Sequence, residues 1–254
     1  MSNRLSETER LIRIVHELRT KCPWDRKQTH RTLVPYLLEE AHEVVDAIEK
    51  RNRRELEEEL GDVLLQVALH AEIASETGRF TFERVAKNIA DKMIRRHPHI
   101  YTTAKYKDEK THLKNWTESK RKENPKKGRL DGLPVSLPGL QLARRYGEVA
   151  GSIGFDWQTV GQVEKKVFEE WKELRAETSR RSPKKARIEE ELGDLLFTIS
   201  NLARHLNIDA EQALRQANQK FRRRFERIEK ALKKQGDRKL SLRELEALWQ
   251  KAKL

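Results

Sequence analysis

The feature that most constrains this 254-residue chain is an acidic pattern that occurs twice. Residues 37–65 read LLEEAHEVVDAIEKRNRRELEEELGDVLL, and residues 167–197 read VFEEWKELRAETSRRSPKKARIEEELGDLLF. Glu39, Glu40 and Glu43 recur as Glu169, Glu170 and Glu173 at an offset of 130. Glu59 and Asp62 recur as Glu191 and Asp194 at an offset of 132, so the second turn is two residues longer. A third segment follows in each half: ADKMIRRH against NQKFRRRF pairs Lys92 with Lys220 and Arg96 with Arg224. Three matched segments in one order (acidic, acidic, basic) describe a duplicated unit.

The periodicity of that unit is helical. Leu37, Val44, Val45 and Ile48 fall on one face of a helix over residues 32–50, with Pro35 near its start where proline is tolerated. A second helix runs from Arg53 to about Ser75 and is closed by Gly78; Thr81 caps a third that ends near His97. Ser6 with Glu9 forms a capping box ahead of the first helix of the chain. Helices resume near Leu140, then over Val160–Thr178, then from a Ser182 cap with Pro183 at the first helical position to about Leu206. Asp209 with Gln212 and Ser241 with Glu244 open the last two. Between the halves, residues 124–139 (NPKKGRLDGLPVSLPG) have no periodicity and many breakers. The expected organisation is therefore an N-terminal domain over 1–123, a linker over 124–139 and a C-terminal domain over 140–254, all of it α.

Composition removes other classes. Gly and Pro are few and aromatics make up 6%, so collagen-like, low-complexity and β-barrel designs do not fit. No run of about 18 apolar residues exists to span a membrane. Charges are scattered through the first twenty residues, unlike a signal peptide. The single cysteine, Cys22, allows no disulfide within the chain and no four-cysteine zinc site. A cytoplasmic protein is expected.

Helical geometry gives the duplicated pattern a chemistry. At about 100° per residue, Glu39, Glu40 and Glu43 share an arc, and Glu59 and Asp62 share a face of the next helix. A short turn makes the two helices antiparallel neighbours, so five carboxylates converge in each groove. Like charges crowded together need compensation. Hard divalent cations supply it, and Mg2+ in particular keeps sites open for water and substrate phosphates. Lys and Arg four apart on the third helix then suit phosphate oxygens. Ordinary solvated glutamates paired at i+4 are the plainer reading of either motif alone, and duplication in helical phase counts against it. The net charge of +13 leaves a rival open, a non-catalytic helical protein that binds nucleic acid; paired acidic helices would repel its backbone. A metal-dependent pyrophosphatase or alarmone hydrolase built on the same carboxylates also remains open.

Both halves resemble the MazG nucleotide pyrophosphohydrolase domain, whose signature is EExxE followed by ExxD on the next helix. CPWD at 22–25, RHPHIY at 96–101, GFDW at 154–157 and NLARHL at 201–206 extend the resemblance over nearly the whole chain. It implies a tandem pair of all-α bundles related to dimeric dUTPases, commonly a homodimer. It also implies Mg2+-dependent hydrolysis of nucleoside triphosphates to monophosphate and pyrophosphate, with Mn2+ as a substitute ion and nucleotide-pool house-cleaning as the role. In the C-terminal half Glu170, Glu173, Glu191 and Asp194 match the metal ligands, and Glu169 is placed to orient or deprotonate water. Lys166, Glu190, Lys220, Arg224 and Trp249 match nucleotide-contacting positions, as does Arg187, where the family leads us to expect lysine. The N-terminal half keeps Glu39 as the base and Glu40, Glu43, Glu59 and Asp62 as ligands, with Lys92 and Arg96. It has Tyr36 in place of Lys166, Glu55 in place of Arg187, and no counterpart of Trp249.

Weaker signals complete the sequence. Trp249 suits base stacking, and equally suits packing on a short amphipathic helix. Lys120 is the best phosphate-binding candidate in the basic run NWTESKRKENPKK, which otherwise reads as a solvated connector. His97 and His99 read as structural, and Cys22 as part of a turn packed on the core.

Overall fold

A computed structural model describes residues 6–102, 128–235 and 240–253. These form ten α-helices, with no strand among the described residues. The chain divides into two compact units, Met1–Glu123 and Asn124–Leu254. Among the described residues no helix is long and apolar enough to cross a membrane. Lys120 lies outside them.

The N-terminal unit holds α1 (Glu7–Lys21), α2 (Val34–Lys50), α3 (Arg53–Ser75), α4 (Phe82–Arg96) and α5 (Pro98–Tyr101). Helix α3 is the axis on which α1, α2 and α4 pack. Val15, Leu33, Ala68 and Leu69 are the buried core, flanked by Leu11, Leu65, Ile73 and Phe82. The helix starts follow their caps. Ser6 and Glu9 form the reciprocal capping box on α1, and the Thr81 hydroxyl accepts from Arg84 N–H on α4, a cap of about 1 kcal/mol. Only Arg51 and Asn52 separate α2 from α3. Arg51 adopts a left-handed φ of 56°, and the Asn52 side chain accepts from the N–H groups of Arg54 and Glu55. So short a link forces the two acidic helices side by side.

The C-terminal unit repeats the plan with α6 (Gly139–Gly151), α7 (Val160–Thr178), α8 (Lys185–His205), α9 (Ala210–Gln235) and α10 (Leu242–Ala252). Here α8 is the axis for α6, α7 and α9, and α10 lies on α9. Gly147 lets α6 approach closely: a Cβ there would stand 2.1 Å from Asn201 Oδ1.

Each unit fixes the loop ahead of its first acidic helix with an arginine, buried in the first unit and largely buried in the second. Arg19 of α1 donates to the carbonyls of Asp25 and Gln28 and pairs with Glu76 at 2.7 Å. Arg204 of α8 grips Asp156 with two bonds of 2.7 and 2.8 Å, and His205 Nε2 lies 3.0 Å from the same carboxylate. These cations hold Asp156 down to about 2.

Helix α3 ends at Ser75 as expected, and Gly78 takes the left-handed position, φ 66°, in the turn that closes it. Two expectations are corrected. Ser182 and Pro183 do not open α8; the cap position is Lys184, extended, whose side chain makes no cap. The helix opens at Lys185, so neither the Ser182 hydroxyl nor the Pro183 ring stands at its entry. In the CPWD turn the buried residue is Asp25, while Trp24 is half exposed and meets Tyr36 edge-on at 5.8 Å.

Candidate active site

The α2–α3 hairpin brings Glu40, Glu43 and Glu59 together, and the α7–α8 pair brings Glu170, Glu173 and Glu191 together. In each trio one carboxylate oxygen per residue lies within 4.8 Å of the others. Asp62 and Asp194 add negative field beside them. Two oxygens on one Mg2+ at about 2.1 Å stand at most about 4.2 Å apart. The trios therefore need only a small closure to share an ion, and their all-oxygen donor set suits a hard cation. Glu39 and Glu169 stand outside the trios, both exposed.

The two trios differ in what surrounds them. Lys166 Nζ, one turn ahead on α7, lies 2.6 Å from Glu169 Oε1 and 2.8 Å from Glu170 Oε1. Arg187, one turn ahead on α8, pairs with Glu190 and reaches Glu191 at 2.9 Å. Those hydrogen bonds push the Lys166 ammonium above its ordinary range, and the field of Glu190 does the same to Arg187. Glu170 and Glu191 are each 6% exposed, so their compensation operates in a partly dry groove. Burial still raises Glu191, opposed by Arg187.

Around the N-terminal trio the equivalent cations are absent. Tyr36 rests on Trp24, and Glu55 takes Lys50 Nζ at 3.2 Å. Among the described residues no ion pair joins Glu40, Glu43 or Glu59. Burial and then the charge of Asp62 raise Glu40; burial and then Glu43 raise Glu59.

The third-helix cations occupy α4 (Lys92, Arg96) and α9 (Lys220, Arg224). Among the described residues no ion pair joins Lys92, Lys220 or Arg224 to a trio. Arg224 instead lies 5.8 Å from the centre of the Trp249 ring, and Phe221 meets that ring at 5.2 Å. Trp249 thus ties α10 to α9. The imidazole of His97 is spent on structure, its Nδ1–H donating to the Met93 carbonyl at 2.8 Å.

One residue escaped the sequence reading. Glu177, one turn beyond Glu173, is buried, pairs with Arg180 through Oε1 at 2.7 Å, and leaves Oε2 with no hydrogen bond. The signal was its i+4 spacing from Glu173, together with its counterpart at the 130 offset, buried Ala47.

Comparison with known proteins fits this duplication. The model of the MazG nucleotide pyrophosphohydrolase domain matches twice, over residues 28–101 and 158–228. The chain belongs to the MazG family. It is 43% identical over 251 residues to the nucleoside triphosphate pyrophosphohydrolase/pyrophosphatase MazG of Thermotoga maritima, covering 96% of this chain and 95% of that protein. It is 40% identical over 257 residues to the nucleoside triphosphate pyrophosphohydrolase of Escherichia coli K12, covering 98% of each. A solved mazG-related protein from Thermotoga maritima covers 44% of this chain and 98% of its own at 32% identity, with a TM-score of 0.40. Each MazG match contains one complete carboxylate trio, whereas Trp249 lies beyond the second match.

Proposed function

We propose that this MazG-family enzyme hydrolyses nucleoside triphosphates, ATP among them, to monophosphate and pyrophosphate by water attack at the α-phosphorus, chiefly in the C-terminal unit. Membership of a nucleotide pyrophosphohydrolase family and near-full-length relatives bearing that name support the reaction class. The single observation that carries the choice of site is the Glu170–Glu173–Glu191 trio, two of its three carboxylates buried, flanked by Lys166 and Arg187.

In this reading Glu170, Glu173, Glu191 and Asp194 hold Mg2+, with Mn2+ able to replace it. When bound, the ion supplies charge neutralisation at the phosphates and a more acidic water. Glu169 orients or deprotonates the attacking water from the exposed edge of the trio. Lys166 and Arg187 meet the incoming phosphates, Arg187 through its planar fork and Lys166 as a point charge. Glu190 positions Arg187. Lys220 and Arg224 stabilise the departing pyrophosphate, since phosphoryl transfer depends on positioning and charge compensation. The N-terminal unit uses Glu40, Glu43, Glu59 and Asp62 for metal, Glu39 beside them, and Lys92 and Arg96 toward phosphate. Without Lys166 and Arg187 equivalents its hold on nucleotide is weaker.

Exposed apolar residues at matched positions (Leu38 with Phe168, Leu60 with Leu192, Leu64 with Leu196) support assembly as a homodimer. The reaction is tested by incubating each triphosphate with Mg2+ and identifying the products. Monophosphate and pyrophosphate are expected; diphosphate and orthophosphate would contradict attack at the α-phosphorus.

A further inference from the structure

The two trios present the same carboxylates to a metal in different states of neutralisation, and this difference carries a consequence for how each loads. Around the C-terminal trio two cations are already seated. Lys166 Nζ lies between Glu169 and Glu170, and the Arg187 fork spans Glu190 and Glu191. One carboxylate of each pair belongs to the trio, and both of those are buried. An arriving divalent ion competes with a fixed charge for each of them.

A nucleotide changes that competition. Its phosphate oxygens are stronger partners for an ammonium and a guanidinium than a single shared carboxylate oxygen, and they bring further negative charge to the ion. Both cations sit one helical turn ahead of the acids they hold, on flexible stems, and both are about one-third to one-half exposed. They are able to turn without disturbing α7 or α8.

Resting on the function proposed above, we propose that Lys166 and Arg187 are exchangeable counter-ions. They neutralise the C-terminal trio in the absence of ligand and pass to the triphosphate when it binds, so that metal and nucleotide enter this site together. The N-terminal trio, with Tyr36 and Glu55 at the equivalent positions, takes its metal without nucleotide.

The test follows Mn2+ binding to the full-length chain through the electron paramagnetic resonance signal of the free ion. Glu40→Gln with Glu43→Gln silences the N-terminal trio, leaving the C-terminal one to titrate. In that background α,β-methylene-ATP tightens Mn2+ binding, beyond the Mn2+ that the analogue itself chelates in a protein-free titration, by about tenfold for one opposing charge withdrawn at close range. Lys166→Met tightens Mn2+ binding without nucleotide by a similar factor and removes most of the nucleotide effect; Lys166→Arg, which keeps the charge, restores the weaker binding. Arg187→Met shows the same pattern. Unchanged or weaker Mn2+ binding in Lys166→Met, or an undiminished nucleotide effect, overturns the exchange while leaving the metal site intact. The metal site itself is checked by Glu170→Gln, which abolishes Mn2+ binding in this background; survival of binding there overturns the assignment of the trio as well.

Discussion

The two carboxylate trios are built from equivalent turns of equivalent helices, yet one is neutralised from within and the other is not. In the C-terminal unit Lys166 and Arg187 sit on the acids. In the N-terminal unit Tyr36 has turned to Trp24 and Glu55 to Lys50. Two positions one helical turn ahead of the acids thus separate a trio with two cations seated on it from one with none among the described residues. The lesson is that the same acidic motif can stand in two electrostatic settings, set by the residues just ahead of it on the same helices.

The largest expected effect breaks the comparison at its centre. Glu170→Ala lowers kcat/KM for triphosphate hydrolysis by about 10²–10³-fold, the scale of losing one group that stabilises transition-state charge, whereas Glu40→Ala changes it only a few-fold. Steady-state kinetics on both variants decide the matter, and equal losses would show that the two sites share the work.

A second contrast concerns the arginines that pin the loops. Asp156→Asn leaves Arg204 largely buried beside a neutral partner and destabilises the C-terminal unit by about 2 kcal/mol. Arg19→Met strips three acceptors at once in the N-terminal unit and costs about 3 kcal/mol. Calorimetry of the two variants reads both losses, as separate shifts if the units melt independently.

The Asp156 clamp and the N-terminal trio should answer pH in opposite directions. Asp156 sits at about 2 when folded and at 3.8 when not, so its contribution is complete above 3.8 and is lost as pH falls toward 2. Glu40 and Glu59 are raised in the folded state. Their protons are held more tightly folded than unfolded, so stability falls as pH rises through the raised values and the trio ionises. Thermal melts in EDTA should therefore show the trio's contribution, read as wild type against Glu40→Gln, weakening from acid to neutral pH, and Mg2+ should recover it at neutral pH. In Glu40→Gln that recovery shrinks.

The smallest effect sharpens the comparison by transplantation. Tyr36→Lys with Glu55→Arg gives the N-terminal trio the missing cations, and should weaken its Mn2+ binding in the absence of nucleotide several-fold. A titration in the Glu170→Gln background isolates that site.

Much of this was legible in the sequence because it is local. Helical phase put Glu40, Glu43 and Glu59 on facing surfaces, and the capping boxes at Ser6 and Ser241 act within one turn. What escaped depends on partners distant in sequence or on competition between neighbours. The Arg19–Glu76 clamp joins residues 57 apart. Ser182 has the chemistry of a cap, but the backbone ahead of Pro183 does not turn into the helix there. Glu177 looks like a solvated glutamate until the packing of α7 on α8 buries it. Trp249 packs against Phe221 and lies over Arg224, contacts between two helices that the motif alone did not show.

The most direct measurement is a crystal structure of the chain grown with Mn2+ and α,β-methylene-ATP, with the ions located by anomalous scattering. The account predicts a peak among Glu170, Glu173 and Glu191, with Lys166 and Arg187 turned from those acids to the phosphates, and a second peak among Glu40, Glu43 and Glu59. Acids splayed into solvent with no ion between them, in the C-terminal unit above all, would contradict it.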